Sequence, residues 1–207
     1  MSQFFSIHPD NPQPRLIQQA VQILRQGGVI VYPTDSCYAL GCQIGDKDAA
    51  TRLLSVRGLD DSHDLTLVCR DLSELGHYAQ VGNSQFRLLK AHTPGPYAFI
   101  LKGTREVPRR LLHKRHDTIG LRAPDHPIVQ ALLAELGEPI LSSTLQLPGE
   151  DVPLNEAWEI RERLENQVDL VIDGGSCGLT PTTVVDLSGE EPRVLRYGKG
   201  DPAPFEG

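Results

Sequence analysis

Hydrophobic residues near the amino end change their spacing abruptly. Ile17, Ala20, Val21 and Leu24 recur at i, i+3, i+4 and i+7, the pattern of one buried helix face. Asn11 followed by Pro12 predicts the start of that helix, and the pair Gly27-Gly28 its end. Four apolar residues then follow without a break, Val29, Ile30, Val31 and Tyr32, which predicts a strand covered on both faces rather than one half exposed to water. Pro33 cannot donate to a sheet ladder, so Thr34, Asp35 and Ser36 fall in the loop beyond the carboxyl end of the strand. In open α/β sheets ligands bind at that end.

The same alternation continues along the chain. Asp46 predicts the cap of a second helix running through Leu54, and residues 65–69 (LTLVC) read as another strand. A helix over 83–91 leads into a strand over 97–102, and TIGLRAP predicts a strand ending at Arg122. Ile128, Leu132 and Leu136 form one helix face before the strand PILSST, and a charged helix over about 155–166 precedes VDLVIDGG. TTVVDLS and RVLRYG are too close together for a crossover helix between them, which predicts an antiparallel pair. The tail DPAPFEG, with two prolines and a terminal glycine, belongs to no predicted element. The sum is an α/β chain with a single twisted mixed sheet flanked by helices, one domain over 1–207 with no linker or repeat to divide it.

Composition narrows what such a domain does. The first residues lack a basic and apolar leader, and no apolar run approaches the ~20 residues of a membrane span, so a cytoplasmic location is expected. Cys37, Cys42, Cys69 and Cys177 form no C-x-x-C pair, which argues for reduced thiols and against a zinc site. The formal charge of −7 opposes unselective nucleic-acid binding, whose affinity comes mostly from neutralising phosphates. One segment runs the other way: residues 109–116 (RRLLHKRH) hold four Arg/Lys and two His. It reads as a solvated helix face, with a phosphate-backbone contact as the alternative.

Hydroxyls and arginines gather at strand ends. Thr34 and Ser36 follow the first strand, Arg122 ends another, Ser142, Ser143 and Thr144 close PILSST, and Thr182 and Thr183 open TTVVDLS. Arginine grips carboxylate or phosphate with two parallel hydrogen bonds and neutral hydroxyls orient a ligand without adding charge, so this inventory suits a small anion. Taken singly, each residue has a plainer reading as a turn cap or a surface ion pair. There is no Walker-type phosphate loop. Cys37 could serve as a nucleophile with one of the seven histidines, but no cysteine-hydrolase signature surrounds it and a structural thiol is the better reading. Asp35, in a turn after Thr34, is expected to accept from nearby backbone amides.

Several ordered motifs together resemble the YrdC/YciO family, and within it the YciO branch. GGVIVYPTDSCYALGC is similar to the family's GG-apolar-YPTDT-x-YGLG run, TPGPYAFIL to its PGP-x-T entry, TIGLRAPDHP to GVRVP-x-HP, PTTVVDLSG to PSTVVDL and RVLRYG to its closing R-x-G strand. The resemblance implies a concave face on the sheet. It also implies an activity related to the joining of L-threonine, bicarbonate and ATP into threonylcarbamoyl-adenylate with release of pyrophosphate, a step toward tRNA threonylcarbamoyladenosine. Mg²⁺ would travel with the ATP. By motif, Thr34, Arg122, Ser142 and Thr182 would meet the threonine. Arg57, Thr118, Thr144, Gln146 and Arg196 would meet ATP or AMP, with Arg57 as the catalytic cation.

Departures from the synthase pattern cluster at the nucleotide residues. Where the synthase branch has K-x-R, this chain reads Arg57-Gly58-Leu59, and where it has S-x-N, this chain reads Thr144-Leu145-Gln146. Cys69 stands where a histidine would be expected. The expectation is a nucleotide- and threonine-binding protein whose synthase activity is weak or altered. The alternatives are a double-stranded RNA or tRNA-binding module and a hydrolase of an acyl-adenylate.

Overall fold

The computed structural model describes residues 1–60 and 65–207. In chain order its elements are β1 (Gln3–Ser6), α1 (Pro14–Arg25), β2 (Ile30–Tyr32), β3 (Ala39–Gln43), α2 (Lys47–Arg57), β4 (Thr66–Val68), α3 (Leu72–Tyr78) and α4 (Asn83–His92). The second half holds β5 (Tyr97–Lys102), β6 (Thr118–Arg122), α5 (Pro127–Leu136), β7 (Ile140–Thr144), α6 (Ala157–Leu164), β8 (Leu170–Asp173), β9 (Thr183–Asp186) and β10 (Arg193–Arg196). All ten strands join one mixed sheet in the order β1-β8-β2-β3-β7-β4-β6-β5-β9-β10.

Local chemistry sets the ends of the elements. Asp46 caps α2 by accepting from the Ala49 amide at 2.9 Å, and Gly58 ends it in the left-handed region at φ 66°. The first helix starts later than Asn11-Pro12 predicts: Gln13 is the cap residue and Pro14 occupies the first turn, where its missing N–H costs nothing. β2 is buried at every residue because its two faces meet two different cores. Ile30 and Tyr32 pack with α1 and α5, whereas Val29 and Val31 join the larger core beneath α2 and α6. β9 and β10 pair antiparallel, as the short connection requires.

Two segments differ from the sequence reading. Residues 109–116 do not form a helix. A single 3-10 turn (Arg109–Leu111) buries Leu111, and a loop follows in which the His113 amide donates to the Thr118 carbonyl at 2.8 Å. The tail is docked rather than loose: Ala203–Phe205 forms a 3-10 turn and Phe205 is buried against His92, Tyr97 and Phe99. An aromatic ring placed to cover apolar surface outweighs the two prolines that disfavour regular structure.

The site follows from what the helices leave uncovered. One face of the sheet is covered by the larger core along its length, and the other is covered by α1 and α5 near β8, β2 and β3. Over β7, β4, β6, β5 and β9 that second face carries small or hydroxyl residues, including Thr66, Ala98, Thr118, Gly120, Ser142 and Thr182, and a cleft opens there. Their neighbours in sequence, Leu67, Phe99, Ile119, Leu121 and Leu141, point into the larger core, which is the period of two expected of a strand.

Candidate active site

The cleft encloses about 450 Å³, the range of small-molecule sites. Thr34, Arg122, Ser142 and Thr182, expected at an amino acid, line it together with Arg57, Thr118, Thr144, Gln146 and Arg196, expected at a nucleotide. It spreads over the face of strands that run both ways, since β4 and β6 are antiparallel to β7 and β5. A mixed sheet has no common carboxyl edge, which is why the strand-end rule locates Thr34 but not the whole site.

Arg122 is the centre of one end. It is 7% exposed, its Nη2 donates to the Asp35 carboxylate and its Nη1 donates to Ser36 Oγ at 3.3 Å. Asp35 does not bond its own turn, as its position suggested; it spans to β6 and also accepts from the Asp125 amide at 2.8 Å. A buried carboxylate needs a cation and further donors, and Arg122 and that amide supply them. The Nε of Arg122 is buried without a hydrogen-bond partner. A buried donor left unpaired costs about 1–3 kcal/mol, which the ion pair with Asp35 must offset.

The turn beneath Arg122 is built by Thr34. Its hydroxyl donates to the Cys37 carbonyl at 2.6 Å and accepts from the Ser36 and Cys37 amides at 3.1 and 3.2 Å. Its hydrogen is therefore committed to the turn, the plainer of the two sequence readings. Ser142 is similarly engaged: its hydroxyl donates to the Leu40 carbonyl at 2.7 Å, so the Tyr32 hydroxyl must donate to it across 2.6 Å. Burial pushes the Tyr32 phenol up to about 12, against the pull of Ser142 and Arg122.

Arg196 approaches from the opposite edge strand. Its Nε and Nη2 donate to the Thr182 carbonyl at 3.0 and 2.8 Å, and Nη2 also donates to Thr182 Oγ1 at 2.9 Å. Lost hydration lowers its pKa, Cys37 opposes that shift, and the like charge of Arg122 adds to it. Two guanidinium groups that repel each other in one cleft favour an anion between them. Gly198 makes the clamp possible: a Cβ there would lie 2.4 Å from both the Pro181 and Thr182 carbonyl oxygens.

At the other end, Arg57 in the last turn of α2 donates from Nη1 to Ser143 Oγ at 2.9 Å and to the Thr144 carbonyl. Leu59 lines the cleft beside it, and Gln146 Nε2 donates to the Glu150 carbonyl at 2.8 Å. Of the apolar residues that line the cleft, Val68 pairs in register with Arg122 and so belongs to that first end. Cys69 is different. Its side chain lies in the larger core and does not line the cleft, while its amide donates to the Arg122 carbonyl at 2.8 Å.

Sequence reasoning missed Ser36 as the partner of Arg122, His113 as a lining residue and Lys199, whose Nζ donates to the Asp35 carbonyl. The alternation of small and large residues in TIGLR was a usable signal for the open face. Cys37 also lines the cleft, and burial pushes its thiol up to about 11 against the pull of Arg122, Lys199 and Arg196. A raised thiol pKa means that the protonated form is stabilised. That contribution is full below the ordinary value of 9.0 and is lost as pH rises toward about 11. At pH 8, Cys37 in the folded protein is therefore expected to react with iodoacetamide about 100-fold more slowly than after unfolding in urea. Mass spectrometry of the Cys37 peptide reads this directly, and equal rates in the two states would refute the protonated-thiol assignment.

The Sua5/YciO/YrdC family model, described as "Telomere recombination", matches residues 22–198. The chain belongs to the Sua5/YciO/YrdC family. Within that family it is 61% identical over 205 residues to the uncharacterized protein YciO of Escherichia coli K12, covering 99% of this chain and 100% of the relative. The crystal structure of E. coli YciO superposes with a TM-score of 0.97 over 100% of both chains. The threonylcarbamoyl-AMP synthase of Chromobacterium violaceum is 33% identical over 189 residues, covering 91% of this chain and 96% of that protein. The structure of P. abyssi Sua5 complexed with L-threonine is 25% identical with a TM-score of 0.86, covering 94% of this chain and 57% of that one. The mixed sheet flanked by helices is thus shared with the YciO and Sua5 structures. Among the described residues, no helix is long and apolar enough to cross a membrane.

Proposed function

We propose that this protein binds L-threonine and an adenine nucleotide in the cleft and is an enzyme of the threonylcarbamoyl-adenylate type, with turnover well below that of the synthases it resembles. The observation that carries the reading is the buried Arg122, held by Asp35, with Arg196 lining the same cleft near enough to feel its charge. That pair suits the carboxylate of an amino acid, so Arg196 is assigned here to the threonine and not to the nucleotide that the resemblance implied for it. Thr34 and Ser142 act by shaping the wall rather than by donating to the ligand, and Thr182 acts by orienting Arg196. The relative in complex with L-threonine supports the choice of amino acid.

The chemistry asks little of the protein beyond position and charge. The threonine amine adds to bicarbonate with loss of water to give a carbamate. A carbamate oxygen then bonds to the α-phosphorus while the bond to pyrophosphate breaks. No enzyme nucleophile takes part, which agrees with a protonated Cys37. Arg57 would stabilise charge on the α-phosphate, and Thr118, Thr144 and Gln146 would hold the nucleotide. The described lining offers hydroxyls and guanidinium groups but no carboxylate, so Mg²⁺ would enter on the phosphates of ATP.

The RNA-binding reading has one feature in its favour: Arg109, Lys114 and Arg115 are exposed on a loop whose His113 borders the cleft. A net charge of −7 works against unselective binding, and a built interior favours a small ligand. The deciding experiment mixes the protein with ATP, L-threonine, bicarbonate and Mg²⁺, follows pyrophosphate, and titrates threonine and AMP calorimetrically. Binding of both with slow, threonine-dependent release is expected. Failure to bind either would sink the proposal, and synthase-level release would overturn its clause on turnover.

A further inference from the structure

The carboxyl-terminal segment is fixed to the sheet on both sides of Lys199. The Lys199 amide donates to the Pro181 carbonyl at 2.8 Å, and the Gly198 amide donates to Thr183 Oγ1 at 3.0 Å. Thr183 Oγ1 in turn donates to the Gly200 carbonyl, and the Tyr97 hydroxyl donates to the Asp201 carbonyl at 3.0 Å. Phe205 then anchors the end of the chain, with ring centroids 5.0 Å from His92 and 5.4 Å from Tyr97. Gly200 permits this docking, because a Cβ there would lie 2.5 Å from the Tyr97 ring.

A backbone held so firmly delivers one exposed side chain to the turn that borders the cleft. Lys199 Nζ donates to the carbonyl of Asp35, the residue in the 34–37 turn whose carboxylate holds Arg122. Its charge is also felt at the Cys37 thiol inside that turn and at the Cys177 thiol, which donates to the Thr34 carbonyl. A long, flexible lysine stem ordinarily loses entropy when ordered at a surface. Here its ammonium ties two parts of the chain that are 164 residues apart.

We propose that Lys199 is a positioning residue of the cleft: it clamps Asp35, and through Asp35 keeps the Arg122 guanidinium aimed at the anionic group of the ligand. This rests on the reading of Arg122 as an anion-binding group. The clamp itself has a readout that needs no ligand, since the Ser36 and Cys37 amides donate to Thr34 Oγ1 inside the turn it holds.

The test compares Lys199→Met and Lys199→Arg with the unaltered protein. Hydrogen exchange at the Ser36 and Cys37 amides is expected to quicken about 10-fold in Lys199→Met, and calorimetric affinity for L-threonine to weaken roughly 5- to 20-fold, with little change in the thermal midpoint. Lys199→Arg restores both. Unchanged exchange in Lys199→Met overturns the clamp whatever happens to binding. Faster exchange with full threonine affinity overturns the positioning role. Faster exchange in a protein that never binds threonine or AMP upholds the clamp and rejects the ligand reading instead.

Discussion

Arg122→Met is expected to weaken L-threonine binding by roughly 100-fold or more and to lower folding stability by about 3–5 kcal/mol. Both effects come from one geometry. The Arg122 and Asp35 side chains are 9% and 11% exposed, so removing the guanidinium leaves a carboxylate in a nearly dry site with only the Asp125 amide to bond it. The ligand would also lose the guanidinium that lines the cleft. Urea unfolding and threonine calorimetry separate the two losses. Adding Asp35→Asn should recover much of the stability, because an amide oxygen still accepts from Asp125 and no charge is stranded, but it should not recover binding. If the single variant is as stable as the parent, the ion pair is not the buried support described above. If it binds threonine normally, the carboxylate lies elsewhere.

The second large effect is a gain. Leu59→Arg combined with Gln146→Asn is expected to raise threonine-dependent pyrophosphate release by about 10²–10³-fold, the scale of one preorganised charge-stabilising donor. Leu59 lines the cleft together with Arg57, so an arginine there adds the second cation that the family resemblance leads one to expect. Gln146 spends its amide nitrogen on the Glu150 carbonyl, and the shorter asparagine would release it toward the nucleotide. Leu59→Met, similar in length and uncharged, serves as the control and should gain nothing. Threonine affinity should hardly move, because Arg122 and Arg196 are at the other end. Tighter ATP binding without faster release would show that the missing cation is not what limits turnover.

Much of this architecture is legible in the sequence. The helix face of α1, the doubly buried β2, the Asp46 cap and the antiparallel closing pair all follow from spacing and capping, which are local properties. The elements that escaped notice are those with weak local signals. β1 is four residues on a sheet edge, β3 (ALGCQ) lacks strong alternation, and α3 is seven residues with a glycine inside. The tail misled because its prolines are local, whereas the pocket for Phe205 is made by β5 and α4.

The candidate site divides along the same line. Its chemical inventory, hydroxyls and arginines at strand ends, could be read from the chain, and so could the substitution at Leu59. Which groups face one another could not. Arg122 meets Asp35 across 87 residues, and Lys199 meets the same Asp35 across 164. Cys69 looked like a site residue by alignment and lies in the core. By itself the sequence determined the elements and the residue types that bear chemistry, because backbone hydrogen bonding and capping act over a few residues. The tertiary structure decided which side chains share the uncovered face. That depends on a strand order with non-consecutive neighbours and on helices that cover only part of one side.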